Sequence, residues 1–303
     1  MYDIISIGSA TLDVFIKTNR EIRTHKDHTD IYYRLGDKIL INSIEIKTGG
    51  GGTNSAVAFS RLGLKSAFLG VVGKDLHGKL ILEELKKEKV SFIGRIKEGN
   101  TGYSIVIPYL GERTILTFKG LNDSLSKEDI NLNNLKSPWM YISTLLGKSE
   151  KTLKLIVSKA IKNKTKISLN LSSYLAKQGL NKLSFLLKNA NILVLNKEES
   201  LVLTKTSSQE EALKKISNYT KGIVVITNGE HSIYAYHKNK TFIKKIKPVH
   251  VIDTTGAGDA FASAFTFGII KGKSIKESLN LAHKESLSVL KHIGAKPGLL
   301  RKL

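Results

Sequence analysis

Asp253-Thr254-Thr255-Gly256-Ala257-Gly258-Asp259-Ala260-Phe261 is the stretch from which the rest of the chain is best read. Two glycines punctuate it, and a helical pattern runs on from about Asp259 to Ile270. A Gly-rich turn opening a helix leaves backbone N–H groups without partners at the positive end of the helix dipole. Such a terminus attracts anions, and Gly256 and Gly258 let an anion approach the backbone with no Cβ in the way. Asp259 falls in the first turn, beside the place where the anion would bind. A carboxylate is out of place there if the turn only holds phosphate, because like charges repel. It fits if the carboxylate receives a proton from an attacking hydroxyl. Taken alone, the same letters also fit an ordinary acidic helix start. Position 261 is Phe, so the run is not a full G-x-G-x-x-G, and it lies far from the N-terminal strand–helix unit.

Working upstream, short apolar runs alternate with longer helical patterns. Ile4–Ile7, Ala67–Val72, Trp139–Ile142, Lys166–Leu169, Ile192–Leu195 and Ile223–Thr227 read as buried strands. Their near-continuous apolar character suits a sheet covered on both faces. Thr53–Leu62, Leu76–Glu88, Glu150–Lys162 and Gln209–Tyr219 read as helices, with a last one over about Ile275 to His292. The alternation implies a mostly parallel α/β sheet. Ile31–Lys47 and a hairpin, Tyr103–Pro108 and Thr114–Phe118 turning near Gly111-Glu112, break the pattern. A small sheet is not stable alone, so these segments are expected to lean over the mouth of the large sheet as a lid.

Gly49-Gly50-Gly51-Gly52-Thr53-Asn54 is the second informative segment. Four glycines give a ligand room against the backbone, and Asn54 both donates and accepts, as a pair of sugar hydroxyls requires. A flexible loop with a helix cap fits the same letters. Gly268-Ile269-Ile270-Lys271-Gly272-Lys273-Ser274 imitates a P-loop, but three residues separate its glycines and it follows a helix. It reads as a helix C-terminus with Gly272.

The 303 residues include no Cys, which excludes disulfides and thiolate chemistry, and carry a formal charge of +22. The lysines are scattered rather than gathered on one helix or arm, so they read as a solvated surface and nucleic acid is not expected as a partner. No apolar run approaches a membrane span and Met1 to Gly8 does not read as a signal peptide, so a cytoplasmic protein is expected.

Together these segments resemble the two signatures of the ribokinase-like (PfkB-type) carbohydrate kinase family. The first runs from Gly49 through Arg61-Leu62-Gly63, Gly70 and Gly73-Lys74-Asp75 to Gly78, and the second from Asp253 to Phe261. Asn196-Lys197-Glu198-Glu199 resembles the family's N-x-x-E element. The three occur in the family's order and spacing, and the resemblance covers essentially the whole chain.

The resemblance implies a three-layer α/β sandwich with a mostly parallel central sheet and a small β-sheet lid. Residues 1–303 would form one domain, with the lid from segments about 12–47 and 102–119. It implies transfer of the γ-phosphoryl group of ATP to a hydroxyl of a sugar or nucleoside. Asp259 would be the base, with a low pKa beside its helix N-terminus, and Gly256, Ala257 and Gly258 would shape an anion hole from the amides of 257–259. Asp13, Gly50, Gly51 and Asn54 would hold the acceptor. Asn196, Thr227, Asn228, Gly229 and His283 would meet the nucleotide. Glu199, with Asn196, would position Mg²⁺ through its water shell, and Asp253 and Thr255, with Gly294-Ala295, resemble a K⁺-binding loop. The family often has Asp near Asn170 and a second glycine at Ser232; this chain departs at both, and His283 stands where small residues often line the base pocket. Thr101-Gly102-Tyr103 lacks the arginine expected for gripping a sugar phosphate, which favours an uncharged acceptor; Arg113 and Lys119 on the hairpin argue the other way. A sugar-phosphate kinase and a non-catalytic basic binder of nucleotide or nucleic acid are the alternatives. The lid is also a candidate homodimer contact.

Overall fold

The computed structural model describes residues 1–19, 21–26, 28–109, 112–145, 147–247 and 249–302. A nine-stranded sheet runs in the order Lys240–Lys244, Ile233–His237, Ile223–Thr227, Ile192–Asn196, Lys166–Asn170, Trp139–Ile142, Ile4–Ile7, Ser66–Leu69, Ser91–Phe92. The pairs from Ile223–Thr227 through to Ser91–Phe92 are parallel, and the two outermost pairs at the other edge are antiparallel. Strand side chains alternate between faces, and both faces are apolar. Ile5, Ile7, Leu193, Leu195, Val224 and Ile226 join one core with Leu153, Ile156 and Leu187 of the helices Ser149–Lys162 and Gly179–Asn189. Ile4, Ile192, Val194 and Val225 join the other with Phe59, Phe261, Phe265 and Leu279 of Gly51–Arg61, Ala257–Ile270 and Ile275–Val289. This is the three-layer sandwich that the run-on apolar strands imply. No described helix is long and apolar enough to cross a membrane.

An accessory sheet runs in the order Glu112–Phe118, Gly102–Tyr109, Thr11–Thr18, Ile41–Gly49. Its central pair is parallel and its outer pairs antiparallel. One face carries Asp13, Phe15, Ser104 and Val106, all buried. The opposite face presents Ile44, Ile46, Leu116 and Phe118, each more than half exposed. The chain passes from the large sheet at Ile7 to the accessory sheet at Thr11. There the side-chain amide of Asn122 clasps Ala10 both ways, accepting from its N–H at 2.8 Å and donating to its carbonyl at 2.9 Å.

Two sequence expectations need correction. Ala67–Val72 is not one strand. It divides into Ser66–Leu69 in the large sheet and Val71–Gly73, which pairs with Arg95–Lys97. The break falls at Gly70, where a Cβ would lie 2.4 Å from the Phe68 ring and 2.7 Å from the Gly8 carbonyl. Ile31–Lys47 is not continuous alternation either. Thr29–Tyr32 closes a separate hairpin with Glu21–Thr24, and the accessory strand begins only at Ile41. Of the expected turn in the second hairpin, Gly111 lies outside the described residues. Gly272 does end its helix, with φ 74° and its N–H on the carbonyl of Ile269.

Candidate active site

Two helices start beside one another at one cleft, and both are capped by glycine. Gly50 precedes Gly51–Arg61 with φ 93°, and Gly256 precedes Ala257–Ile270 with φ 78°; neither N-cap has a side-chain bond. Both positions demand glycine. A Cβ on Gly50 would lie 2.6 Å from the Ser9 carbonyl oxygen, and one on Gly256 would lie 2.2 Å from the Ala295 Cβ. A Cβ on Gly258 would meet no protein atom within 4 Å. The space beside Gly258 belongs to the cleft, whose volume is about 370 Å³.

Asp259 is the third residue of its helix. Its Oδ2 accepts from Asn54 Nδ2 at 2.8 Å, a bond between residues 205 apart in the chain, and its Oδ1 accepts from Asn170 Nδ2 at 3.4 Å. The carboxyl pKa is raised from 3.8, chiefly by burial and also by the charge of Asp13; Asn54, Lys296 and Arg113 pull the other way. The expectation of a low pKa at a helix start is therefore overturned, because desolvation outweighs the helix terminus. The amide of Ala257 is already directed to the Thr254 carbonyl at 3.3 Å. Helix geometry supplies no partner to the amides of Gly258 and Asp259.

Asp13 sits on the inner face of the accessory sheet, 8% exposed, with Oδ1 accepting from Thr11 Oγ1 at 2.9 Å. Its pKa is raised by burial and opposed by Thr11, Ser104 and Lys296. Gly49 must be glycine beside it, since a Cβ would fall 1.9 Å from Asp13 Oδ2. Lys296 is 3% exposed and donates to Thr48 Oγ1 and Glu84 Oε2 at 2.7 Å each. It supplies positive charge to both Asp13 and Asp259, and nothing in its sequence neighbourhood marks it.

Gly51, Asn170, Asn196, Glu199, Thr227, Gly256, Gly258 and Asp259 line the cleft. Asp13, Gly50, Asn54, Ala257, Asn228, Gly229 and His283 are not among its described lining residues. Gly229 follows Thr227 in a turn with φ 52°, and His283 lies on Ile275–Val289 with its pKa lowered by burial and by Lys244. Asn196 and Glu199 form a capping box for Lys197–Thr204, each side chain taking the other's amide at 2.8 Å. The same Glu199 carboxyl is raised to about 7, first by burial and then by the charges of Glu198 and Asp259. Asp253 Oδ1 accepts from Thr255 N and Oγ1, and Oδ2 accepts from Gly294 N at 2.8 Å. The three residues of the expected cation loop are thus brought together, with the Asp253 carboxylate facing N–H and O–H donors. Arg113 and Lys119 reach the cleft from the accessory sheet. Arg113 donates to Thr254 Oγ1, and the Lys119 ammonium stands 4.4 Å over the Tyr174 ring.

The fold thus brings a buried carboxylate and the start of its helix to one cleft. The chain belongs to the pfkB family of carbohydrate kinases, whose family model matches residues 2–301. It is an ATP-dependent kinase with an alcohol acceptor. It is 31% identical to a 5-dehydro-2-deoxygluconokinase of Clostridium botulinum, covering 92% of this chain and 84% of that one. Its fold superposes on an adenosine kinase from Sinorhizobium meliloti with a TM-score of 0.84, at 21% identity over 98% of this chain and 96% of that one. A putative ribokinase II from E. coli, solved with ATP and Mg²⁺, superposes with a TM-score of 0.81, at 20% identity over 99% of this chain and 96% of that one.

Proposed function

We propose that the cleft transfers the γ-phosphoryl group of ATP to a hydroxyl of a sugar or nucleoside, with Asp259 as the base. The observation that carries this reading is the 2.8 Å bond from Asn54 to Asp259, which joins the two glycine-led helix starts. Asp13, Asn54 and the backbone at Gly50 and Gly51 hold the acceptor. Asp259 takes the acceptor's proton, the acceptor oxygen bonds to the γ-phosphorus, and the bond to the β-phosphate oxygen breaks to release ADP. A raised pKa makes the ionised carboxylate a better base than an exposed aspartate. The amides of Gly258 and Asp259 stabilise the transferring group, with Gly256 and Ala257 shaping the turn. Asn196, Thr227, Asn228 and Gly229 meet the nucleotide, and His283 approaches its base.

Mg²⁺ fits the residues present. Burial leaves Glu199 near the point of protonation at the cleft wall, and a divalent cation carried in with the phosphates favours its ionised form. Mg²⁺ would screen the phosphate charge there, with Glu199 and Asn196 orienting its water shell. Asp253 and Thr255 set the loop against Gly294, and we assign any K⁺ dependence to carbonyls of that loop. The accessory sheet acts as a lid, from about 12–47 and 102–119, within one domain. Its outer apolar face, with Ile44, Ile46, Leu116 and Phe118, is suited to a homodimer contact.

Coupled measurement of ADP formation over a panel of sugars, nucleosides and sugar phosphates tests the assignment. Turnover of an uncharged acceptor, lost in Asp259→Asn, is expected. No turnover of any panel member would sink it. Preference for a phosphorylated sugar would support a second reading, which Arg113 favours because its buried Nε has no hydrogen-bond partner.

A further inference from the structure

We infer that the tip of the hairpin Glu21–Thr24/Thr29–Tyr32 binds a divalent transition-metal ion of the zinc class through His25, His28 and Asp30. The inference is independent of the phosphoryl-transfer reading, and none of the three residues lines the cleft.

Antiparallel pairing sets Arg23 opposite Asp30 and Thr24 opposite Thr29. The His25 N–H then donates to the His28 carbonyl at 2.8 Å and closes the turn. This backbone frame puts one imidazole at each end of the turn and the carboxylate on the returning strand. The rings stack with centroids 4.6 Å apart and planes 15° from parallel. Asp30 Oδ2 stands 3.4 Å from His25 Nε2 and 3.7 Å from His28 Nε2, and the three potential ligand atoms lie within 4.8 Å of one another.

Those separations bear on two readings. N–H···O hydrogen bonds to a carboxylate span about 2.7–3.2 Å, and both distances exceed that, while they suit an ion pair when an imidazole is protonated. Ligands about 2.1 Å from a tetrahedral ion stand about 3.4 Å from one another. Two of the three separations, 3.4 and 3.7 Å, stand close to that edge length, and the third is within 4.8 Å. Two imidazoles and one carboxylate suit Zn²⁺, Ni²⁺ or Cu²⁺, whereas Mg²⁺ and Ca²⁺ prefer all-oxygen sets. The Arg23 guanidinium, opposite Asp30 in the hairpin, lies 3.9 Å over the Tyr32 ring. The chain has no Cys, so no thiolate competes for the ion. Three protein ligands at an exposed site leave room for water. Such an ion would bolt together a two-stranded hairpin, which is marginal by itself.

Calorimetric titration of Zn²⁺ into the chelator-treated full-length protein, without nucleotide, tests this. One saturable equivalent is expected. In a His25→Ala/His28→Ala double variant, affinity should fall by about a hundredfold or more, since loss of outer-shell partners alone costs 10- to 100-fold. The side chains are exposed, so folding is spared, and circular dichroism should be unchanged. His231→Ala, elsewhere on the surface, should bind like the wild type. No saturable binding, or equal affinity in the double variant, overturns the site, as does equal loss in His231→Ala.

Discussion

Two consecutive helices carry an acid at the same position and use it in opposite ways. Asp259 is the third residue of Ala257–Ile270, and Glu277 is the third residue of Ile275–Val289. Glu277 turns back on its own helix and accepts from Ser274 N at 2.8 Å and Ser274 Oγ at 2.6 Å, while its N–H donates to Ser274 Oγ. Its pKa is lowered by those bonds. Asp259 is preceded by Gly256, which has no side chain to answer it, and its carboxylate is taken instead by Asn54 and Asn170. Burial raises its pKa. The residue three places earlier decides the outcome: serine closes a capping box, and glycine leaves both the acid and the amides open to the cleft.

The contrast is most sharply broken by paired substitutions. Asp259→Asn should lower kcat by about 10²–10⁴, the usual contribution of a positioned base, while Glu277→Gln leaves steady-state turnover unchanged. Asp259→Asn should also raise the melting temperature, because burial disfavours the ionised carboxylate that it removes. A loss of stability would show that the buried charge is not the cost inferred here. Asn54→Ala should reduce kcat/KM by about 10²-fold through misplacement of the carboxylate. Asn170→Ala, at the longer contact, should cost less; the reverse order would reassign the main support of Asp259.

Gly256→Ala forces a left-handed residue onto Ala295 and should cost at least about 1–3 kcal/mol in urea unfolding. Ser274→Ala at the other helix should cost about 1 kcal/mol. The smallest effect is the pH dependence of the Glu277 cap. Its folded pKa lies below 4.5, so the stabilisation is present above the unfolded value and is lost as pH falls through the folded value. The stability gap between wild type and Glu277→Gln should therefore narrow as pH drops below that range. A gap constant from pH 7 to 3 would deny the bond its charge.

Much of this was legible in the letters. The strand runs could be read because a sheet covered on both faces tolerates no polar alternation, and Ile4–Ile7 and Ile223–Thr227 fall where their apolar runs place them. Both glycine-led helices were legible, though each begins two residues before its expected start, at Gly51 and at Ala257, because Gly50 and Gly256 take the left-handed shape that begins the turn. Gly70 misled because its role is a close approach to Phe68 and Gly8, a contact invisible along the chain. The raised pKa of Asp259 was illegible because burial is a property of the assembled layers, and Lys296 because its partners, Thr48 and Glu84, are remote in sequence.

The crossing at Ala10 has a consequence for biosynthesis. All four accessory strands lie between Thr11 and Phe118, whereas Asp259 comes far later. At about 5–20 residues per second, a ribosome delivers the whole accessory sheet several seconds before Asp259 emerges. At the start of that interval only three of the nine strands of the large sheet, Ile4–Ile7, Ser66–Leu69 and Ser91–Phe92, have been made. The accessory sheet's oily outer surface is on offer to a neighbouring nascent chain before either copy has a finished cleft.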